Sequence, residues 1–176
     1  MKEKIFSNKF LVLTGLILLA AISRLIPHPL NFAPITGMAL FAAVYFNEKK
    51  FAFAVPVFAM FLSDVIIGFH SQMFVVYLSF VLIVGIGFLV KHKKSFGTIA
   101  LASVASSIIF FVVTNFGVWA LGTLYTKDVA GLALCFTAAI PFFQNTLLGD
   151  LFYTGLLFGV YEVVKVKLPE TVKVKA

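Results

Sequence analysis

Three charged side chains, Arg24, Asp64 and Asp150, stand in stretches that are otherwise almost wholly apolar. A group so placed must pair with an opposite charge, hold a proton or cation, or meet the polar part of a ligand. Left against hydrocarbon it would cost on the order of 2.5–3.5 kcal/mol. Six more polar groups recur near them: His28 and Asn31 after the first apolar run, His70 after the third, Asn115 and Trp119 within the fifth, and Asn145 shortly before Asp150. These nine residues form the candidate solute-binding set, because a compact organic ligand needs aromatic walls and a few fixed polar groups. Arg24 is expected to pair with Asp64 or Asp150. A purely structural reading stands beside this one, in which the ion pair and the amides merely join helices, at about 0.6–2 kcal/mol for each interhelical hydrogen bond.

Other chemistries find no support. The sequence has no GxSxG, HExxH, Walker or CxxC motif, so no enzyme and no nucleotide-driven pump is expected. His28 and His70 lack an HxH or HxxxH neighbour, so no metal and no cofactor is expected. Cys135 sits in an apolar stretch and reads as a small buried hydrophobe.

The elements that must position these residues follow from composition. Of 176 residues, 61% are hydrophobic and 12% charged, with a mean hydropathy of +1.07. A soluble domain carries roughly a quarter charged residues, and a chain this short cannot hide so much apolar surface. The expectation is one all-α integral membrane domain over residues 1–176. About 20 residues cross a hydrocarbon core, and the apolar runs give six spans at 10–26, 31–46, 51–69, 73–90, 96–122 and 139–161. Pro141 and Gly131 point to an interfacial or re-entrant segment at 129–138.

The net charge of +7 would suggest nucleic acid in a soluble protein. Here Lys2, Lys4 and Lys9, then Lys49 and Lys50, then Lys91, Lys93 and Lys94, and finally Lys165, Lys167, Lys173 and Lys175 fall on one side of the six spans. Only Lys127 falls on the other. The positive-inside rule then puts both termini in the cytoplasm and assigns no nucleic-acid partner. The opening "MKEK", an apolar run and "AAIS" have the outline of a signal peptide cleaved near Ser23. Removing that run would spoil the charge alternation, so it is read as the first span. On this topology the candidate residues gather toward the outer face.

Small residues mark close helix approaches: Ala39 and Ala43 in the second span, and "GTIALASVASS" at the start of the fifth. Their roles are packing within the bundle or docking of another membrane subunit. Pro56, Phe58, Leu62 and Asp64 are loosely echoed by Pro141, Phe143, Leu148 and Asp150, but the spacing differs by one residue and no repeat is assigned.

The blocks "SRLIPHPLNFAPITGMALFAAVYF", "LSDVIIGFH", "VVTNFGVWALG" and "AAIPFFQNTLLGDLFYTGLLFG" resemble an uncharacterised bacterial six-span family of transport proteins, over residues 18–160. The size and layout are also similar to the S components of energy-coupling-factor (ECF) vitamin transporters. That likeness implies an S-component-like bundle in the bacterial inner (plasma) membrane. It also implies capture of a small vitamin-like solute from the outer face and a partnership with a T subunit and two ATPases. The AxxxA pattern typical of the first span in S components has its nearest match here at Ala39 and Ala43, in the second. The expected function is therefore a substrate-binding transport subunit. A stand-alone carrier using Asp64 or Asp150 as a proton or cation site is the alternative, and a membrane enzyme or assembly factor the remotest reading.

Overall fold

The computed structural model describes residues 7–166, and all their regular structure is helical. Six helices follow one another: α1 (Asn8–Ser23), α2 (Ile35–Tyr45), α3 (Lys49–Ile67), α4 (Met73–Val90), α5 (Phe96–Leu121) and α6 (Val129–Lys165). Four of them, α3 to α6, are long and apolar enough to cross a membrane. Their outward faces are lined with bare hydrocarbon, as at Phe58, Leu89, Leu101 and Val163, which suits lipid rather than water. The lysines at positions 2, 4, 167, 173 and 175, and with them the two termini, lie outside the described residues.

Helix starts obey local chemistry. Ser7 accepts from the Phe10 N–H at 3.2 Å and Ser95 from the Thr98 N–H at 3.2 Å. Asp128 accepts from the Gly131 N–H at 2.7 Å. Each side chain satisfies a donor that the first helical turn leaves without a partner.

The first two helices are shorter than the apolar runs suggested. In place of 10–26 and 31–46, α1 ends at Ser23 and α2 begins at Ile35. Pro27, Pro29 and Pro34 explain the gap, since each lacks an N–H and bars its predecessor from helical geometry. Asn31 turns the connection with a φ of 64°, in the left-handed region that Asn tolerates.

α2 is the hub of the molecule. It touches all five other helices, and every residue from Thr36 to Tyr45 is buried. Eleven residues rise only about 16 Å, about half a hydrocarbon core. Small side chains admit its neighbours. A Cβ on Gly37 would come within 3.1 Å of the backbone at Tyr153 and Thr154, and one on Gly87 of α4 would strike the Ala43 Cβ at 2.5 Å. Ala39 and Ala43 are fully buried, so that stripe packs the bundle and offers no docking face.

The separate segment expected at 129–138 is instead the opening of α6, which runs unbroken for 37 residues. Pro141 has no N–H to give the ladder, yet the helix continues through it, a loss that long apolar helices tolerate. Gly131 is required by the helix start rather than breaking it. A Cβ there would lie 2.1 Å from the Thr126 carbonyl oxygen.

Lys9 bonds Asn47, Lys91 donates to the Phe46 carbonyl, Lys49 lies over Phe88 and Lys94 over Tyr45. The described lysines other than Lys127 thus gather around the C-terminal ends of α2, α4 and α6. Arg24, Asp64 and the 24–34 connection lie at the opposite end.

Candidate functional site

The expected set divides into two clusters and a scatter. In the first, Arg24 leaves the end of α1 and meets the last turn of α3. Its Nη2 lies 2.6 Å from Asp64 Oδ1, with the two side chains 10% and 2% exposed. Its Nη1 donates to Ser63 Oγ and, at 3.3 Å, to the Met60 carbonyl. The Tyr77 hydroxyl of α4 donates to Asp64 Oδ2 at 2.8 Å. Arg24 therefore takes Asp64, the first of its two expected partners. The guanidinium and carboxylate are spent on each other and on three helices.

The second cluster surrounds Asp150, in the middle of α6 and 3% exposed. Ser107 Oγ of α5 donates to Asp150 Oδ2 at 2.6 Å and also approaches the Ser103 carbonyl at 3.0 Å. The Thr36 side chain, in the first turn of α2, lies close to the same carboxylate. Next to them Ser103 and Thr154 share a hydroxyl contact of 3.2 Å, and the Ser106 hydroxyl is buried without a partner. No salt bridge reaches Asp150 among the described residues, and none joins it to Arg24. The positive end of the α2 dipole, with backbone N–H groups of its first turn, faces this region. The arrangement is a carboxylate among hydroxyl oxygens, without a base.

The remaining candidates do not join either cluster. His28 is exposed and contacts only the Pro29 carbonyl, at 2.9 Å, and Asn31 and His70 are exposed. Asn115 turns its amide back to the Phe111 carbonyl at 2.7 Å, and its own carbonyl accepts from Cys135 Sγ at 3.4 Å. Trp119 Nε1 donates to the Thr126 carbonyl at 2.9 Å, while Lys127 bonds the carbonyls of Trp119 and Gly122. These two are fastenings of the α5–α6 turn. Asn145 is half-buried and makes no hydrogen bond.

Sequence reasoning missed Tyr77, Ser63, Thr36, Ser103 and Ser107. One signal was available: Ser103, Ser106 and Ser107 fall at i, i+3 and i+4, so all three face one way across a helix. That stretch reads as small residues for packing, which overlooks its hydroxyls.

A cavity of about 470 Å³ lies between α5 and α6, beside the end of α2, and runs from Leu151 and Thr154 to Lys94 and Glu162. It opens toward the lysine-rich end, opposite the Arg24–Asp64 pair. Neither Arg24, Asp64 nor Asp150 lines it.

Two ends of the 24–34 connection are tied down. Ser23 Oγ donates to the Tyr153 hydroxyl at 2.9 Å, and Phe32 rests on the rings of Phe152 and Tyr153. A Cβ on Gly149 would come within 3.0 Å of the Phe32 Cα, so the connection lies directly against α6 beside Asp150.

Residues 4–171 match a family of unknown function, DUF6580, and the chain belongs to that family. No curated protein and no solved structure matches it.

Proposed function

We propose that this family member is a multi-pass transport protein of the bacterial inner membrane that moves a small organic solute, with Asp150 holding the proton or cation coupled to that movement. The observation that carries the reading is α2. A half-length helix buried at the centre of the bundle starts inside the apolar core, and its first turn meets an unpaired carboxylate. Interrupted helices that end at mid-depth are a recurrent way to build a solute or ion site, because the free backbone groups and the helix dipole face the ligand there. A carboxylate wrapped in hydroxyl oxygens is suited to a proton or a small hard cation. Asp64 is the poorer candidate, being neutralised by Arg24 at 2.6 Å.

The topology that goes with this function has six crossings and cytoplasmic termini, the second crossing being made by residues 24–34 together with α2. The other reading is a substrate-binding subunit that takes a vitamin-like solute from the outer face and works with a T subunit and an ATPase module. It is favoured by the 24–34 connection, which packs over α6 at Gly149 where a lid would be needed. The exposed His28 and Asn31 ride on that connection.

The test uses the purified chain in detergent and the Asp150→Asn variant. Thermal unfolding is followed while Na⁺, K⁺ or Li⁺ is titrated, and the carboxyl stretch is followed by infrared difference spectroscopy as pH is varied. The wild type should show a cation-dependent rise in Tm or a titrating buried carboxyl band that Asp150→Asn lacks. Identical responses in both proteins would remove Asp150 from the function. A small organic molecule carried through purification and identified by mass spectrometry, with no cation or proton response at Asp150, would favour the binding-subunit reading instead.

A further inference from the structure

The cavity near the lysine-rich end takes no part in either carboxylate cluster, and its lining is two-sided in character. Its walls are Phe96 and Ile99 of α5 and Phe158 of α6, and its floor is made by Gly155 and Gly159. A Cβ at either glycine would meet nothing within 4 Å, so the floor opens into free space. Thr154 is the one hydroxyl on the deep side, and its Oγ1 is already 3.2 Å from Ser103 Oγ. The deep part is therefore effectively apolar.

The mouth is charged. Glu162 accepts from the Tyr45 hydroxyl at 2.6 Å and is salt-bridged to Lys165. Lys94 lies over the Tyr45 ring at 5.0 Å and makes no salt bridge. With Glu162 countered by Lys165, the ammonium of Lys94 gives the rim a net positive charge. Lys91 and Lys93 stand beside it in sequence.

Shape and charge together point to the kind of occupant. Leu151 and Glu162 are separated by roughly 16 Å along α6, at 1.5 Å per residue, so the groove is an elongated slot whose shape suits an extended hydrocarbon chain. Surrounding side chains that face hydrocarbon, Phe96 at 90% exposed and Leu101 at 70%, make the groove continuous with the lipid-facing surface.

We infer that this groove is a binding site for one anionic phospholipid of the cytoplasmic leaflet, with an acyl chain lying on Gly155 and Gly159 and the phosphate held by Lys94. The inference is independent of what the protein transports, and only its leaflet rests on the proposed topology. Its chemistry is the pairing of an apolar slot with a basic rim at the depth of the headgroups, where one lysine is worth about 1 kcal/mol toward an anionic surface, or roughly fivefold in binding.

The test is native mass spectrometry of the full chain, delipidated and then titrated with phosphatidylglycerol or phosphatidylcholine of identical acyl chains. The wild type should retain phosphatidylglycerol about fivefold more than phosphatidylcholine. Lys94→Gln should abolish that preference while leaving phosphatidylcholine retention unchanged. Gly159→Leu, which fills the floor, should lower retention of both lipids, and Gly155→Ala serves as a milder second filling. Circular dichroism and Tm establish that each variant is folded. Equal retention of the two lipids by the wild type, or retention unaffected by both glycine variants, would overturn the assignment. So would a change of oligomeric state in Gly159→Leu with lipid retention intact, since the groove would then dock a protein helix.

Discussion

Removing either half of the Arg24–Asp64 pair should damage the protein more than removing both. Asp64→Leu leaves a guanidinium that cannot shed its charge, 10% exposed, with only Ser63 and the Met60 carbonyl to satisfy it. It also takes the acceptor from the Tyr77 hydroxyl. Arg24→Met leaves a 2%-exposed carboxylate with Tyr77 as its sole donor. Breaking a buried pair from one side costs about 3–5 kcal/mol, whereas replacing the whole pair by apolar groups is often near neutral. In Arg24→Met/Asp64→Leu, Tyr77 and Ser63 each lose a partner at about 1 kcal/mol, so the double variant should lose about 2 kcal/mol. The expected coupling between the sites is then roughly 4–8 kcal/mol in favour of the pair. At about 2–4 °C per kcal/mol, each single variant should lower Tm by roughly 6–20 °C and the double by about 4–8 °C. The assay is thermal unfolding of the four proteins in one detergent. A double variant whose loss equals the sum of the single losses would show that the pair is not a unit, and the argument from buried charge would fail with it.

Two further outcomes follow from the same geometry. Single cysteines at Ser71 and Thr126, in a Cys135→Ser background, should react with an impermeant maleimide added outside intact cells, and one at Ser95 should not; the reverse pattern would invert the topology. Hydrogen bonds from the Gly131 N–H first, and from Thr126, hold the Asp128 carboxyl below the usual carboxylate range. The helix cap therefore contributes fully above the unfolded value of about 3.9 and is lost as pH falls through the lower folded value. The Tm gap between wild type and Asp128→Ala should accordingly narrow only below about pH 4, and a gap that persists unchanged in acid would refute the cap's ionic character.

The parts of this fold that were legible are those set by bulk hydropathy. Runs of apolar residues marked where α3, α4 and α5 lie to within a few residues, because a helix that must satisfy its backbone in hydrocarbon leaves a long unbroken signature. The boundaries of α1 and α2 were blurred, since Leu25, Ile26 and Leu30 continue the apolar run while the prolines around them end the helix. The continuity of α6 was hidden by Pro141, whose helix-breaking habit in water is weakened where packing retains the helix. Within the site, charge was legible and hydroxyls were not. Arg24 and Asp64 stand out in any apolar run and found each other. Thr36, Ser103 and Ser107 look like small packing residues until α2 and α5 bring them to Asp150. Asn115 and Trp119 lie about two and three turns beyond Ser107 along α5, and each bonds its own helix or turn, since a polar residue in an apolar run does not say which neighbour it faces.

The two buried aspartates show why depth alone does not define a function. Pro56 to Asp64 and Pro141 to Asp150 look alike in sequence, but Pro56 is buried within α3 and Pro141 is exposed on α6. Asp64 occupies the last turn of α3, its carbonyl accepting from the Gly68 N–H at 2.8 Å. At a helix end a long arginine from the end of neighbouring α1 can reach it, and the pair closes three helices together. Asp150 lies far from either end of α6, and no helix end among the described residues brings a base to it. What reaches it is the blunt start of α2 and the hydroxyls of α5. A chain that needed only cohesion at that depth would be better served by an apolar side chain, since an unpaired buried carboxylate destabilises what it sits in. The cost is borne at the centre of the bundle, against the one helix that every other helix touches. On the proposed function, a proton or cation arriving there changes the charge at the hub and biases the packing of all five neighbours at once.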